Sequence, residues 1–282
     1  MLNGVFLIDK DCQTTSRKLD NQVGRKFSIR KVGHVGTLDP LATGLMLIAV
    51  GEGTKAIPYM EDSTKQYVAT FKLGLLTSTL DLEGDIIKDE QVEKVEEADL
   101  IAALNKFLGP IVQIPPLTSA IKVDGVALYK YAHKNIDFAV PPRNVEILEL
   151  ELLDYTHPYF TIKTTVSSGT YIRTLGNDIA HTLNTVASTT NLRRTKVGTF
   201  SVERAKKLEK IEDFDIIALG EFLGHIPSME VADDQLKKVL VGAKIELVTK
   251  DDRVKIVHEA KLLAIYQRVE NQTFKCLRGF NL

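Results

Sequence analysis

Thiols are scarce in this 282-residue chain, where Cys12 and Cys276 are the only cysteines. They match no metal-ligand spacing and suggest reduced thiols rather than a disulfide framework. No apolar run is long enough to span a membrane. Met1-Leu2-Asn3-Gly4 shows no basic region ahead of an apolar one, so no signal peptide is expected and the cytoplasm is the default compartment. The glycines miss the dinucleotide-binding spacing, and the Gly-Lys-Ser/Thr of a phosphate-binding P-loop is lacking too. No internal repeat or low-complexity tract occurs. What remains is the composition of an ordinary globular protein, 44% hydrophobic and 26% charged. Its length suits one large core, or one large and one small.

Excess charge is also lacking, with a formal net of −1, but the distribution is uneven. Residues 81–99 hold nine acids against Lys88 and Lys94, a local net of −7, so the rest of the chain sums to +6. Residues 17–31 carry six basic residues and one acid, and residues 193–210 carry seven and two. Each cluster alone reads as a solvated face. Two of them flanking one candidate site read better as contacts to nucleic-acid phosphates.

The candidate site lies in residues 33–44, Gly-His-Val-Gly-Thr-Leu-Asp-Pro-Leu-Ala-Thr-Gly, directly ahead of Leu45-Met46-Leu47-Ile48-Ala49-Val50. Six apolar residues between glycines predict a strand buried on both faces. Pro40 keeps Asp39 out of helical geometry, which puts a lone carboxylate at the lip of that strand. Asp before Pro also simply starts turns, so the local pattern supports both readings. Residues 65–74 alternate as a half-buried strand does, with Tyr67, Ala69, Phe71 and Leu73 on one face. Taken alone, Tyr67 there is a core tyrosine. A helix capped by Thr15 or Ser16 is expected to run to about Phe27, and a second over 98–108 to stop at Gly109. Residues 143–153 and 159–166 look like paired strands. Ile172, Leu175, Ile179 and Leu183 form a helical stripe. That leaves Arg173 in a first turn, where the helix dipole disfavours a cation unless an anion faces it; a plain surface arginine is the other reading.

Residues 33–44 resemble, at most positions, the catalytic motif of the TruB-type tRNA pseudouridine synthases. Other blocks agree in the family's order. Asp9-Lys10 and Thr15-Ser16 match an opening turn in which Asp11 and Gln13 replace the usual Pro and Gly. Lys65-Gln66-Tyr67 resembles the second motif, Gly169-Thr170-Tyr171-Ile172-Arg173 the third, and Leu192-Arg193-Arg194 the Leu-Arg-Arg block. In Thr77-Ser78-Thr79-Leu80-Asp81, Ser78 replaces an Asp. After Pro115-Pro116, Ser119, Ala120, Lys122, Gly125 and Tyr129 match, while Thr118, Ala127 and His133 depart. The resemblance covers about residues 3–204.

It implies an α/β (α+β) fold: a mixed, largely antiparallel central sheet flanked by helices in a catalytic domain over 1–224. A small C-terminal β domain of PUA-like type would follow over 225–282, where short strand-like runs alternate with charged turns. It implies isomerisation of uridine 55 in the T-loop of tRNA to pseudouridine, with no metal or cofactor, on a base flipped from its stack. Asp39 would then be catalytic and paired with Arg173, with Tyr67 stacked on the uracil. Tyr171 and Leu192 would wall the pocket, and His34 would hold the distorted loop. Lys10, Arg25, Lys26, Arg30, Lys31, Lys122, Arg193 and Arg194 are the expected RNA contacts. The expected partner is the tRNA T-loop and T-stem, bound by a monomer without membrane or obligate protein partner. Two other classes share the scaffold. A non-catalytic RNA-folding protein would not need Asp39, Tyr67 and Arg173 together. Guide-RNA-dependent synthases usually carry longer basic extensions than this chain shows.

Overall fold

The computed structural model describes residues 2–60, 63–116, 140–259 and 261–281, with the backbone alone of 122–123 and 126–127. Strands β1 (Gly4–Lys10), β2 (Val32–Val35), β3 (Thr43–Val50) and β4 (Lys65–Leu73) come first. A hairpin of β5 (Leu75–Thr77) and β6 (Ile86–Asp89) precedes β7 (Gly109–Gln113), β8 (Lys122–Val123) and β9 (Val126–Ala127). Next are β10 (Arg143–Thr156), β11 (Tyr159–Val166), β12 (Ala187–Val197) and β13 (Phe200–Ser201). The C-terminal strands are β14 (Ser228–Glu230), β15 (Ile245–Glu246), β16 (Arg253–His258), β17 (Lys261–Glu270) and β18 (Thr273–Gly279).

The central nine-stranded sheet runs β1-β3-β12-β4-β11-β10-β7, with β2 added to β3 and β13 to β12. Its pairings are antiparallel except β3 against β12, which is the mixed sheet the resemblance implied. β3 is buried on both faces because both are covered. Met46, Ile48 and Val50 join the core under the helices Ser16–Lys26, Glu97–Asn105 and Ile172–His181. Leu45, Leu47 and Ala49 join a second cluster on the opposite face. β4 shows the alternation read from its sequence, with Tyr67, Ala69, Phe71 and Leu73 buried.

The first helix is Ser16–Lys26, capped by the Thr15 hydroxyl, which accepts from the Lys18 amide at 3.1 Å. The second is shorter than its apolar pattern suggests. It covers Glu97–Asn105, after which the Lys106 and Phe107 amides reach back only three residues and tighten the chain into a turn. Gly109, at φ +91°, opens β7 rather than stopping the helix. The helix Ile172–His181 packs closely on the Phe71 side chain of β4: a Cβ on Gly176 would fall 2.0 Å from the Phe71 ring. Only glycine permits that approach, and the approach brings the start of the helix over the sheet.

Beyond it, a five-stranded sheet runs β14-β16-β17-β18-β15 and packs the helix Asp233–Leu240 through Val239 and Tyr266. It is the small C-terminal β unit expected. Leu262, Ile265 and Phe280 pack with Leu45 and Leu47 of β3 through Ile217, Leu219 and Phe222, so the two sheets share one buried cluster.

Candidate active site

The β2–β3 connection carries Asp39, and the opening turn of the chain holds it from below. The Ser16 hydroxyl both accepts from the Leu38 amide and donates to the Leu38 carbonyl, each at 2.9 Å. The Gln13 amide donates to the Pro40 carbonyl at 2.8 Å. Gln13 does so at φ +61°, the left-handed conformation that costs a non-glycine residue about 1–2 kcal/mol. The turn therefore holds Gln13 in a conformation that glycine adopts without cost, and accepts the strain. Lys10, read as an RNA contact, is buried there instead. Its ammonium donates to the carbonyls of Thr14 at 2.7 Å, Asp11 at 3.0 Å and Pro40 at 3.2 Å. Burial pulls its pKa down to about 8.

The Asp39 carboxylate sits on the floor of a concave cleft, with a third of its side-chain surface open. Arg173 Nε meets its Oδ2 at 3.0 Å. The same guanidinium reaches a second carboxylate, with Nη1 3.1 Å from Asp81 Oδ2 and 2.7 Å from the Thr79 carbonyl oxygen. Asp81 is itself fixed, because its Oδ1 accepts from the Thr79 hydroxyl at 2.5 Å and the Glu83 amide at 3.0 Å. The anion that a cation in a first helical turn requires is thus present twice. Burial pushes the Asp39 carboxyl above the usual carboxylate range. Arg173, Lys10 and Arg194 pull it back, and Asp81 adds to the rise.

The cleft encloses about 530 Å³ and brings together His34, Asp39, Tyr67, Tyr171, Arg173, Leu192 and Arg194. Tyr67, Leu192 and Arg194 come from neighbouring strands, since Arg194 faces Tyr67 and Leu192 faces Ala69 across the β12–β4 ladder. His34 closes another side, with Nδ1 2.9 Å from the buried Asp20 carboxylate and Nε2 3.3 Å from the Thr37 hydroxyl. Arg143 also lines the cleft and was not singled out from the sequence.

Arg194 does not fit a surface phosphate contact. It is completely buried, and it donates Nε to the Leu45 carbonyl at 2.8 Å and Nη2 to the Gly36 carbonyl at 3.1 Å. The Tyr67 side chain neighbours its guanidinium across the β12–β4 ladder. Burial lowers the Arg194 pKa, opposed by Tyr67 and Asp39. Gly44 allows this backbone crossing, because its Cβ would lie 2.2 Å from the Arg194 carbonyl oxygen. Arg193 is paired bidentately with Asp9, at 3.0 and 3.1 Å. Lys26 is exposed but donates to the Leu208 and Glu209 carbonyls, both at 3.0 Å. Arg25, Arg30 and Lys31 are exposed on the surface. The Lys122 side chain lies outside the described residues, as do Thr118, Ser119, Ala120, Gly125, Tyr129 and His133.

Asp81 is the main residue that sequence reasoning missed. It opens the acidic run, whose other eight acids are exposed, and its place in the block Thr77-Ser78-Thr79-Leu80-Asp81 is the one signal that sets it apart. Ser78, by contrast, is exposed, and its hydroxyl accepts the Asp85 amide at 3.1 Å within the same hairpin.

A family model described as "TruB family pseudouridylate synthase (N terminal domain)" matches residues 24–172. The chain belongs to the TruB family. That match takes in His34, Asp39, Tyr67, Asp81 and Tyr171; Arg173 and Leu192 fall beyond it and within the span shared with full-length relatives. The tRNA pseudouridine synthase B of Mesoplasma florum is 36% identical, over 98% of this chain and 98% of its own. That of Clostridium tetani is 35% identical, over 98% and 99%. Among solved structures, a box H/ACA ribonucleoprotein bound to a substrate RNA containing 2'-deoxyuridine matches with a TM-score of 0.75 at 21% identity, covering 99% of this chain and 85% of that one. A Cbf5-Nop10-Gar1 complex gives 0.74 at 24%, covering 96% and 80%. At those identities the structural likeness speaks for the TruB fold alone.

Proposed function

We propose that this chain isomerises uridine 55 in the T-loop of tRNA to pseudouridine, with Asp39 as the catalytic carboxylate. The observation that carries the reading is the Asp39 carboxylate on the floor of the cleft, gripped by Arg173 and walled by Tyr67, Tyr171 and Leu192. The substrate class comes from the relatives' name. A volume of about 530 Å³ lies within the ~300–1,000 Å³ typical of small-ligand sites, enough for one flipped nucleotide.

The reaction breaks the N1–C1′ bond, turns the uracil and joins C1′ to C5. C5 then loses its proton and N1 gains one, so nothing is added or removed overall. Asp39 supplies the negative charge at the glycosidic bond, either attacking or balancing the cationic sugar. Tyr67 offers its ring to the uracil face, and its hydroxyl, polarised by Arg194, faces the base at which the C5 proton must leave. Leu192 and Tyr171 hold the ring as it turns. His34, fixed by Asp20, and the exposed basic surface take the loop and its phosphates.

The C5 proton gives the direct test. A T-stem-loop RNA tritiated at C5 of the target uridine should release its label on incubation with the purified protein, and the same loop with the label in another uridine should not. Retention of label at the target uridine under single-turnover conditions would sink the reading.

We further propose that the exposed cations of the first basic cluster contact tRNA phosphates. Replacing Arg25, Arg30 and Lys31 with Gln should weaken binding and flatten its salt dependence, by about one unit of slope for each phosphate the variant no longer neutralises. Lys26 is left out because its ammonium is spent on two carbonyls. An unchanged slope would make this surface merely solvated. The same reading places the reaction in the cytoplasm and assigns it to a monomer. It divides the chain at 224/225, just ahead of β14, into a catalytic unit and a small β domain that share a core.

A further inference from the structure

The helix that delivers Arg173 starts without a side-chain cap. Tyr171, its N-cap residue, has extended backbone (φ −100°, ψ 110°) and makes no capping bond of its own. The missing partner arrives from elsewhere in the chain. Gln113, the last residue of β7, is 1% exposed. Its Oε1 accepts from the Tyr171 amide at 3.0 Å, and its Nε2 donates to the Tyr171 carbonyl at 3.3 Å.

From this geometry we infer that Gln113 is a positioning residue: by holding both backbone polar groups of Tyr171 it sets where Arg173 meets Asp39. The inference rests on the function proposed above.

A side-chain amide carries its acceptor and its donors on two separate atoms, so it can pair with an N–H and a C=O at once. Here both are used on one residue, as a neighbouring strand would use them. The turn ahead of Tyr171 is anchored on the same sheet edge. The Ser167 amide donates to the Glu146 carbonyl at 2.9 Å, and the Ser167 hydroxyl accepts the Glu146 amide at 2.8 Å. Glu146 belongs to β10, which pairs with β7 from Arg143↔Gln113 to Ile147↔Gly109. Both ends of the segment 167–171 are therefore tied to one rigid pair of strands. Arg173 follows two residues later, about 3 Å of helical rise from the held residue. A shift of the Tyr171 backbone moves the first helical turn and the Cα of Arg173, and so strains the bonds that its guanidinium makes to Asp39 and Asp81.

Gln113→Met keeps the length of the side chain and removes both hydrogen-bonding functions. The single-turnover rate should fall at least tenfold, and about a hundredfold if the guanidinium moves by ~1 Å, with affinity for T-loop RNA changed by less than about threefold. Gln113→Glu retains the acceptor for the Tyr171 amide and should lose less rate. A displaced Arg173 would oppose the burial of Asp39 less, leaving Lys10 and Arg194 against Asp81, so the acid limb of the rate profile should move to higher pH. Tyr266→Phe serves as a control for lost stability. It removes a bond to the Ala243 carbonyl in the second sheet and should leave rate and pH profile unchanged. Parent-like turnover in Gln113→Met, a rate loss matched by loss of affinity, or an unmoved acid limb would each overturn the inference. If Gln113→Met does not fold, Gln113→Glu carries the same comparison, and failure of both to fold would make the residue purely structural. A parent protein that releases no tritium would overturn the functional reading and this inference with it.

Discussion

Asp39→Asn should abolish turnover while leaving a protein that folds at least as stably as the parent. The substitution preserves shape and removes the charge. A neutral amide neither attacks carbon nor balances a cationic sugar, so the single-turnover rate should drop below about a thousandth of the parent's, with tRNA affinity retained. The stability half follows from the direction of the Asp39 pKa. Burial raises it above the ordinary 3.8 despite Arg173. The folded state therefore holds the Asp39 proton more tightly than the unfolded chain, and parent stability falls as pH rises from 3.8 through the raised value. Above that window the ionised carboxylate is a standing cost of the site. Asn resembles the protonated form and escapes the cost. Its melting temperature should equal or exceed the parent's at neutral pH, with the advantage vanishing below pH 3.8. A variant that melts well below the parent at neutral pH would show that Asp39 holds the fold together, and its loss of activity would then say little about chemistry.

Elements with one dominant signal could be read from the sequence alone. Six apolar residues between glycines read as a doubly covered strand, and β3 has a core on each face. The alternation of β4 put Tyr67 on its buried side before any partner strand was known. Arg173 was half legible from its place in a first turn, which a facing anion or an exposed position would explain, and the resemblance named Asp39 as the anion. Residues whose burial depends on chain crossings were not legible. Arg194 sits in a basic cluster that looks solvated, yet the near-contact of β3 and β12 at Gly44 seals it under the loop. Lys10 looks like a surface cation after a strand, yet three carbonyls of one turn enclose it. Asp81 and Gln113 leave no periodic trace, because each works through a single long-range contact rather than a face. The second helix ended early for a related reason: its apolar pattern continues into Phe107, but the chain needs that residue in a turn to enter β7.

The Arg173→Lys variant tests geometry with charge held constant. The arginine is buried, and one planar group spans two carboxylates, Asp39 through Nε and Asp81 through Nη1, together with the Thr79 carbonyl. Those angles are set by the guanidinium fork. Lysine places one compact, strongly hydrated charge at the end of a flexible stem. It can stand near Asp39 or near Asp81, but it cannot hold both at fixed orientation. Asp39 would keep a nearby cation and lose its aim. Misplacement of a reacting group by about 1 Å costs on the order of a hundredfold in rate, so a fall of that size is expected in single turnover. Affinity for the same T-loop RNA should change by less than about threefold, well under the tenfold step that corresponds to about 1.4 kcal/mol, because a side chain only 6% exposed offers little to a phosphate. Rate and affinity must be measured on the same RNA. A retained rate with weakened affinity would identify Arg173 as a phosphate-binding residue, and the ion pair with Asp39 would then have no part in aiming the catalytic carboxylate.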